Sequence, residues 1–122
     1  PEIKGKFILI NFWATWCKPC KKAIPELNEF HHKFKDKLVV IGISDESKQK
    51  VKRMKTPKMD YYSAIDTEER LERIYEVTGI PHCVIINQKG IVVWEGWPQQ
   101  KGFELTEKII ENLITNYDLK SR

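Results

Sequence analysis

A chain of 122 residues, 41% hydrophobic and 31% charged, has the size of one domain and the means to bury a core without disulfide staples. Three cysteines are too few for a disulfide-rich scaffold, and their odd number leaves one unpaired. The formal charge of +4 permits docking to acidic partners or anionic lipid without requiring it, and no apolar run is long enough to span a membrane.

Residues 1–6 form a short polar lead. The chain opens at Pro1 without an initiator Met and enters a strand almost at once. It is therefore read as a fragment or processed form, with any targeting segment upstream. Phe7-Ile8-Leu9-Ile10-Asn11-Phe12 predicts a strand buried on both faces. From about Pro19 to Phe34, Ile24, Leu27, Phe30 and Phe34 recur at helical spacing. Pro25 inside this pattern removes one backbone hydrogen bond and predicts a kink. Asp36-Lys37 makes a turn, and residues 38–44 are a second buried strand rich in β-branched residues. Strand, helix, strand over this length is a βαβ unit with parallel strands. Its functional groups are expected at the carboxyl ends of the strands.

Ser44-Asp45-Glu46-Ser47 can cap a short helix from about Ser47 to Met54, ended by Thr56-Pro57. Its lysine-rich surface, continuing to Lys58, is read as a solvated face. Residues 61–65 are a strand candidate. A helix is expected from Asp66 or Thr67 to about Val77, with Asp66 and Glu69 as a capping box and Gly79 as its terminator. Residues 83–87 and 91–95, joined by Gln88-Lys89-Gly90, predict a hairpin. Gly96-Trp97-Pro98 is a break. A last helix is expected from about Phe103 to Tyr117, on a stripe of Leu105, Ile109, Ile110, Leu113, Ile114 and Tyr117. With no internal repeat or linker, residues 1–122 are taken as a single domain.

Cys17-Lys18-Pro19-Cys20 sits where the first strand hands over to the first helix. Unpaired N–H groups and the helix dipole favour a thiolate there, and Lys18, Lys21 and Lys22 add positive charge. A lowered pKa and a nucleophilic sulfur follow. Two intervening residues place the second cysteine about one turn deeper, within disulfide reach, and Pro19 suits an early helix position. The spacing predicts a reversible dithiol/disulfide pair, with Cys17 exposed and Cys20 shielded.

The segment Trp13-Ala14-Thr15-Trp16-Cys17-Lys18-Pro19-Cys20 resembles the active site of thioredoxin-like proteins. Extended from Asn11 to Pro25, it is similar to the TlpA/ResA-like thiol-disulfide oxidoreductases, and Gly79-Ile80-Pro81 is a second mark of that family. The resemblance covers nearly the whole chain. It implies a thioredoxin fold, a central mixed β-sheet flanked by helices, with an α/β insertion after the second core strand that residues 47–65 would fill. It also implies that Pro81 is cis and lies against the dithiol, that Ile80 lines a peptide-docking edge, and that Trp16 shields the surface beside Cys17 while Trp13 packs beneath. A cis peptide would turn the backbone and leave groups of Ile80 free to pair with an extended substrate. Lys18 and Pro19 are the candidates for redox tuning. The implied activity is thiol–disulfide exchange with disulfide- or dithiol-containing proteins, recharged by a separate electron donor. It uses no cofactor beyond the Cys17–Cys20 pair. The implied setting is extracytoplasmic in a bacterium, periplasmic or membrane-anchored through a segment upstream, and the expected state is a monomer.

The chain departs from cytoplasmic thioredoxins at two places. Their buried Asp and its Lys partner correspond to Asn11 and Gly42, a paired loss that avoids a lone buried charge. The Glu that some ResA-like members carry three residues after the second cysteine corresponds to Ala23. Neither carboxylate is available to take a proton from Cys20; Glu26 is nearby in sequence, and which face of the helix it takes is left open. The competing readings are weaker. Zinc needs four ligands, and Cys83 with three histidines does not repeat the spacing; a Cys-Cys-His copper site using His82 is more remote. Cys83 is read as a small core hydrophobe, His82 as a partly exposed strand residue, and His31-His32 as solvent-facing. Nothing points to nucleic acid. The remaining alternatives are a cytoplasmic thioredoxin-type reductant and a binding module of the same fold without turnover.

Overall fold

The computed structural model describes residues 2–118, so Pro1 lies outside the described residues. At its centre lie β1 (Phe7–Phe12) and β2 (Leu38–Ser44), both buried along nearly their whole length. They pair in parallel, with Phe7 opposite Leu38 and Asn11 opposite Gly42, because α1 (Lys18–Lys33) carries the chain back between them. The insertion follows as α2 (Lys48–Arg53) and β3 (Tyr62–Ile65), the latter parallel to β2. The short α3 (Arg70–Ile74) leads to β4 (His82–Ile86), antiparallel to β1. β5 (Val92–Gly96) completes the hairpin and α4 (Glu107–Tyr117) closes the described chain. The sheet order is β3-β2-β1-β4-β5, the mixed sheet flanked by helices that the sequence predicts.

Strand alternation divides the core into two layers. Phe7 and Leu9 of β1, Leu38 and Val40 of β2, and Cys83 and Ile85 of β4 face α1 and α4, where they meet Ile24, Leu27, Phe30 and Ile110. Ile10, Phe12, Ile43 and Val84 face the other way, covered by Leu71, Tyr75, Val77 and Ile80 from around α3. Burying such side chains stabilises by about 1.5–3 kcal/mol each.

Two helices differ from expectation. α3 is only five residues long, and the capping box does not form. Glu69 instead stands at the N-cap with φ 58°, while the Asp66 carboxylate accepts from the Leu71 N–H at 2.8 Å. Nor does Gly79 end this helix. Glu76 takes the left-handed position (φ 53°), with Val77 N–H bonded to the Glu72 carbonyl at 2.8 Å and Glu76 N–H to Arg73 at 3.2 Å. This is a Schellman closure built on a glutamate. α4 starts at Glu107 rather than Phe103, because Thr106 caps it by accepting from the Ile109 N–H. The preceding N–H groups of Phe103 and Leu105 are taken by Gln100 and Pro98 carbonyls. Leu105 nonetheless reaches the core, while Phe103 is exposed. Pro25 is accommodated within α1 on its exposed side.

Candidate active site

β1 ends at Phe12, and the next residues are tied down one by one. Trp13 N–H donates to the Ile43 carbonyl of β2, and Cys17 N–H to the Ala14 carbonyl, closing a turn. Cys17 is the N-cap of α1. Its Sγ accepts from the Cys20 N–H at 3.2 Å, in the place a serine or aspartate oxygen would normally fill. Pro19 lies in the first turn, and no acidic residue does. A sulfur here sees one unpaired helix N–H directly and the positive end of the dipole, which favours the thiolate over the thiol. Cys17 and Cys20 are joined as a disulfide, with Cα atoms 5.2 Å apart.

Opposite the pair stands the entrance to β4. The Ile80–Pro81 peptide bond is cis, Pro81 is buried, and the Ile80 carbonyl oxygen lies 3.9 Å from Cys17 Sγ. Ile80 packs against the cluster of Trp13, Ala14, Cys17 and Cys20, as do Val51, Met54 and Met59. Sequence-distant residues 16–20 and 80–81 thus form one site. Trp16 is 69% exposed beside it, and Trp13 is buried. Lys18 and Pro19 are exposed at the head of the helix. A cleft of about 330 Å³ borders Trp16 and Ile80, lined also by Asp45 and Glu72. The larger cleft of about 520 Å³ at Trp94, Trp97 and Phe103 contains none of the dithiol residues.

One expectation is corrected. Cys17 is not exposed: it is 4% accessible, against 0% for Cys20. In the disulfide its sulfur is turned against the Ile80 backbone and the cluster around it. The histidines are also more engaged than the sequence suggests. His32 pairs with Asp60 at 2.9 Å, and His31 packs edge-on against Tyr62. Burial, ahead of the neighbouring His32, lowers the His31 pKa. His82 is committed to Glu95 at 2.8 Å.

Behind the disulfide, Asn11 and Gly42 are register partners on adjacent strands. Asn11 Oδ1 accepts from the buried Cys83 thiol at 3.3 Å. A Cβ on Gly42 would come within 3.1 Å of both Trp13 Nε1 and the Tyr61 ring, so these two rings occupy the space a larger side chain would need. Asn11 Nδ2, Trp13 Nε1 and Tyr61 Oη are buried with no hydrogen-bond partner among the described residues. Burial pushes the Tyr61 hydroxyl and the Cys83 thiol far up. Glu26 is half-buried, and its carboxyl is raised by burial, then by Glu29, Glu104 and Glu107; its charge reaches Cys83.

Sequence reasoning misses Glu46. Read only as part of a helix cap, it instead accepts from both the N–H and the hydroxyl of Thr15. Its place just past the carboxyl end of a parallel strand is the available signal.

A helix-capping disulfide facing a cis-proline strand entrance, on a mixed β3-β2-β1-β4-β5 sheet, defines the thioredoxin class. Residues 5–92 match the family described as thioredoxin-like, and the chain belongs to it. It is 38% identical over 95 residues to a thiol-disulfide oxidoreductase ResA of Bacillus cereus, covering 75% of this chain and 55% of that protein. With ResA of Bacillus thuringiensis subsp. konkukian, identity is 36% over 109 residues, covering 87% and 63%. The chain therefore spans little more than half the length of these relatives. Among solved structures it is similar to the exposed lipoprotein thioredoxin Etrx1 of Streptococcus pneumoniae, with TM-score 0.74 and 23% identity over 92% of this chain and 85% of that one.

Proposed function

We propose that this chain is a protein thiol-disulfide oxidoreductase that reduces disulfides of extracytoplasmic protein partners. The observation that carries the reading is Cys17 Sγ, placed on the Cys20 N–H at the head of α1 and facing the Ile80 carbonyl. In the reduced chain the Cys17 thiolate attacks a substrate disulfide. The Cys17–substrate bond forms, the substrate S–S bond breaks, and the departing thiolate takes a proton. Cys20, deprotonated in turn, attacks Cys17 Sγ. The second substrate sulfur leaves as thiolate, and the Cys17–Cys20 bond is restored. Two electrons have moved to the substrate, and a separate dithiol donor returns them. No cofactor is needed.

Trp16 and Ile80 would flank the incoming segment, with Pro81 fixing the strand entrance and Lys18 and Pro19 setting the electrostatics at the helix head. The extracytoplasmic assignment rests on the likeness to ResA proteins. The described residues contain no helix long and apolar enough to cross a membrane, so an anchor would lie elsewhere in the protein. A cytoplasmic reductant is the less favoured alternative, because Asn11 and Gly42 stand where that group carries charges.

The test is the equilibrium reduction potential of Cys17–Cys20, read by alkylation across glutathione and dithiothreitol series, alongside reduction of a protein disulfide. A reversible two-electron couple is expected towards the low end of the family range of roughly −270 to −120 mV. Cys17→Ser should abolish turnover while substrate binding persists. A couple near the high end would make the chain a disulfide donor. Failure of the pair to cycle would remove the redox reading and leave a binding module.

A further inference from the structure

The turn that delivers Cys17 to α1 is held from outside by one carboxylate. Thr15 donates to Glu46 twice, its N–H to Oε1 at 2.8 Å and its hydroxyl to Oε2 at 2.7 Å. The Ser44 hydroxyl, at the end of β2, donates to Oε1 at 2.9 Å and accepts from the Glu46 N–H at 3.1 Å. Lys50 Nζ lies 3.8 Å from Oε2, and the Glu46 side chain is only 6% exposed. Burial alone would raise the carboxyl. The Thr15 hydroxyl and N–H, Ser44 and Lys50 outweigh it and hold Glu46 below the ordinary range.

The position of the clamp gives it significance. Thr15 and Trp16 are the two middle residues of the turn closed by Cys17 N–H and the Ala14 carbonyl. Trp16 is largely exposed and cannot anchor the turn by packing. The entrance is fixed at Trp13 and the exit by the helix itself, so at the middle of the turn the tie is Glu46. Only an ionised carboxylate, which accepts without donating and offers two oxygens, can take both Thr15 donors and Ser44 at once.

We propose that Glu46 is a positioning residue for thiol–disulfide exchange: by clamping Thr15 it seats Cys17 Sγ on the Cys20 amide, where the thiolate is stabilised. This rests on the proposed function, but its test does not require a physiological substrate.

The experiment titrates the Cys17 thiolate by its ultraviolet absorbance in the reduced chain. It also follows the rate of exchange with oxidised glutathione against pH, with thermal unfolding measured in parallel. Thr15→Val removes one of the two donors without changing charge. It should move the Cys17 titration upward and slow exchange at neutral pH by about three- to ten-fold, the worth of one hydrogen bond. Thr15→Ser keeps both donors and should stay within about two-fold of the parent, on the same reasoning. Glu46→Gln should slow exchange at least as much as Thr15→Val, even though removing a negative charge would by itself favour the thiolate. Adding Thr15→Val to Glu46→Gln should cost little more. The proposal is overturned if Thr15→Val lowers thermal stability but leaves the Cys17 titration and exchange rate at the parent values. It is equally overturned if Glu46→Gln lowers the Cys17 pKa and accelerates exchange, which would make Glu46 only a distant charge. Should Glu46→Gln not fold, the Thr15→Val and Thr15→Ser pair decides. Failure of the parent Cys17–Cys20 pair to cycle would instead sink the proposed function, a separate result because the titration needs only a reduced thiol.

Discussion

The two faces of the sheet are built to different thicknesses. Towards α1 and α4 the described residues bury a continuous layer from Phe7 and Leu9 through Ile24, Leu27 and Phe30 to Ile110. Towards α3 the buried set among the described residues is Ile10, Phe12, Ile43 and Val84, and the hydrophobic side chains packed over it are only partly covered. The dithiol sits where the layers meet: Cys20 belongs to α1 of the thick side, while Ile80, facing Cys17, packs with the thin side. One partner in the site is thereby anchored and the other lightly held. That suits a nucleophile whose geometry must be fixed and an edge that must accept varied segments.

Substitutions should expose this asymmetry. Leu27→Ala on the thick side is expected to cost about 2–5 kcal/mol, read as a fall in the urea midpoint, with exchange per folded molecule retained. Leu71→Ala on the thin side should cost less than about 2 kcal/mol, because a half-covered site has less to lose. Equal losses would abolish the distinction. Ile80→Ala tests what the thin side does. It should raise KM for a peptide disulfide several-fold while the rate with a small disulfide stays near the parent value; a drop in both would make Ile80 part of the core instead.

Acid separates the faces in another way. The Glu46 pKa is depressed in the folded chain, by its hydrogen bonds against the effect of burial. Its contribution is therefore complete above the ordinary glutamate value and lost as pH falls through the lower folded one. The stability gap between the parent chain and Glu46→Gln should be flat at neutral pH and shrink below about pH 4. A gap that grows on acidification would contradict the sign. At α4, Thr106→Ala should cost about 1 kcal/mol, measured by the same urea unfolding, since Thr106 Oγ1 satisfies the Ile109 N–H.

What can be read in advance divides along the same lines. The strands of the thick side and the helix α1 announce themselves through unbroken apolar runs and helical spacing, and the first strand leads directly into the turn that carries the cysteine pair. The correspondence of Asn11 with Gly42 follows in the sequence from a missing charge pair and appears in the fold as strand register. Residues 66–80 escape the sequence pattern because their ends rest on backbone conformation. Nothing in the letters of Glu69 and Glu76 marks them for positive φ, where glycine is the usual occupant. The resemblance brings residues 80 and 81 to the dithiol but does not give how closely the Ile80 backbone covers Cys17, sixty-three positions away, and Glu46 is illegible because its partner Thr15 lies across a crossover.

The smallest effect sharpens the comparison furthest. Glu76 closes α3 in the left-handed region at φ 53°, where a Cβ crowds the backbone by roughly 1–2 kcal/mol. Glu76→Gly removes that crowding but gives the unfolded chain more freedom, worth about 0.4–1 kcal/mol in the other direction. The net expectation is a gain of between zero and about 1.6 kcal/mol in urea unfolding, on the difference of those two terms. Thr106→Ala on the thick side serves as the reference loss. If the thin face owes its loose cover to this closure, hydrogen exchange should slow at Glu76 and Val77, whose N–H groups bond to Arg73 and Glu72, and remain unchanged in β1 and β2. Slowing throughout the sheet would show that α3 is coupled to the whole core. A stability loss would show that the Glu76 side chain supplies something its backbone position does not reveal.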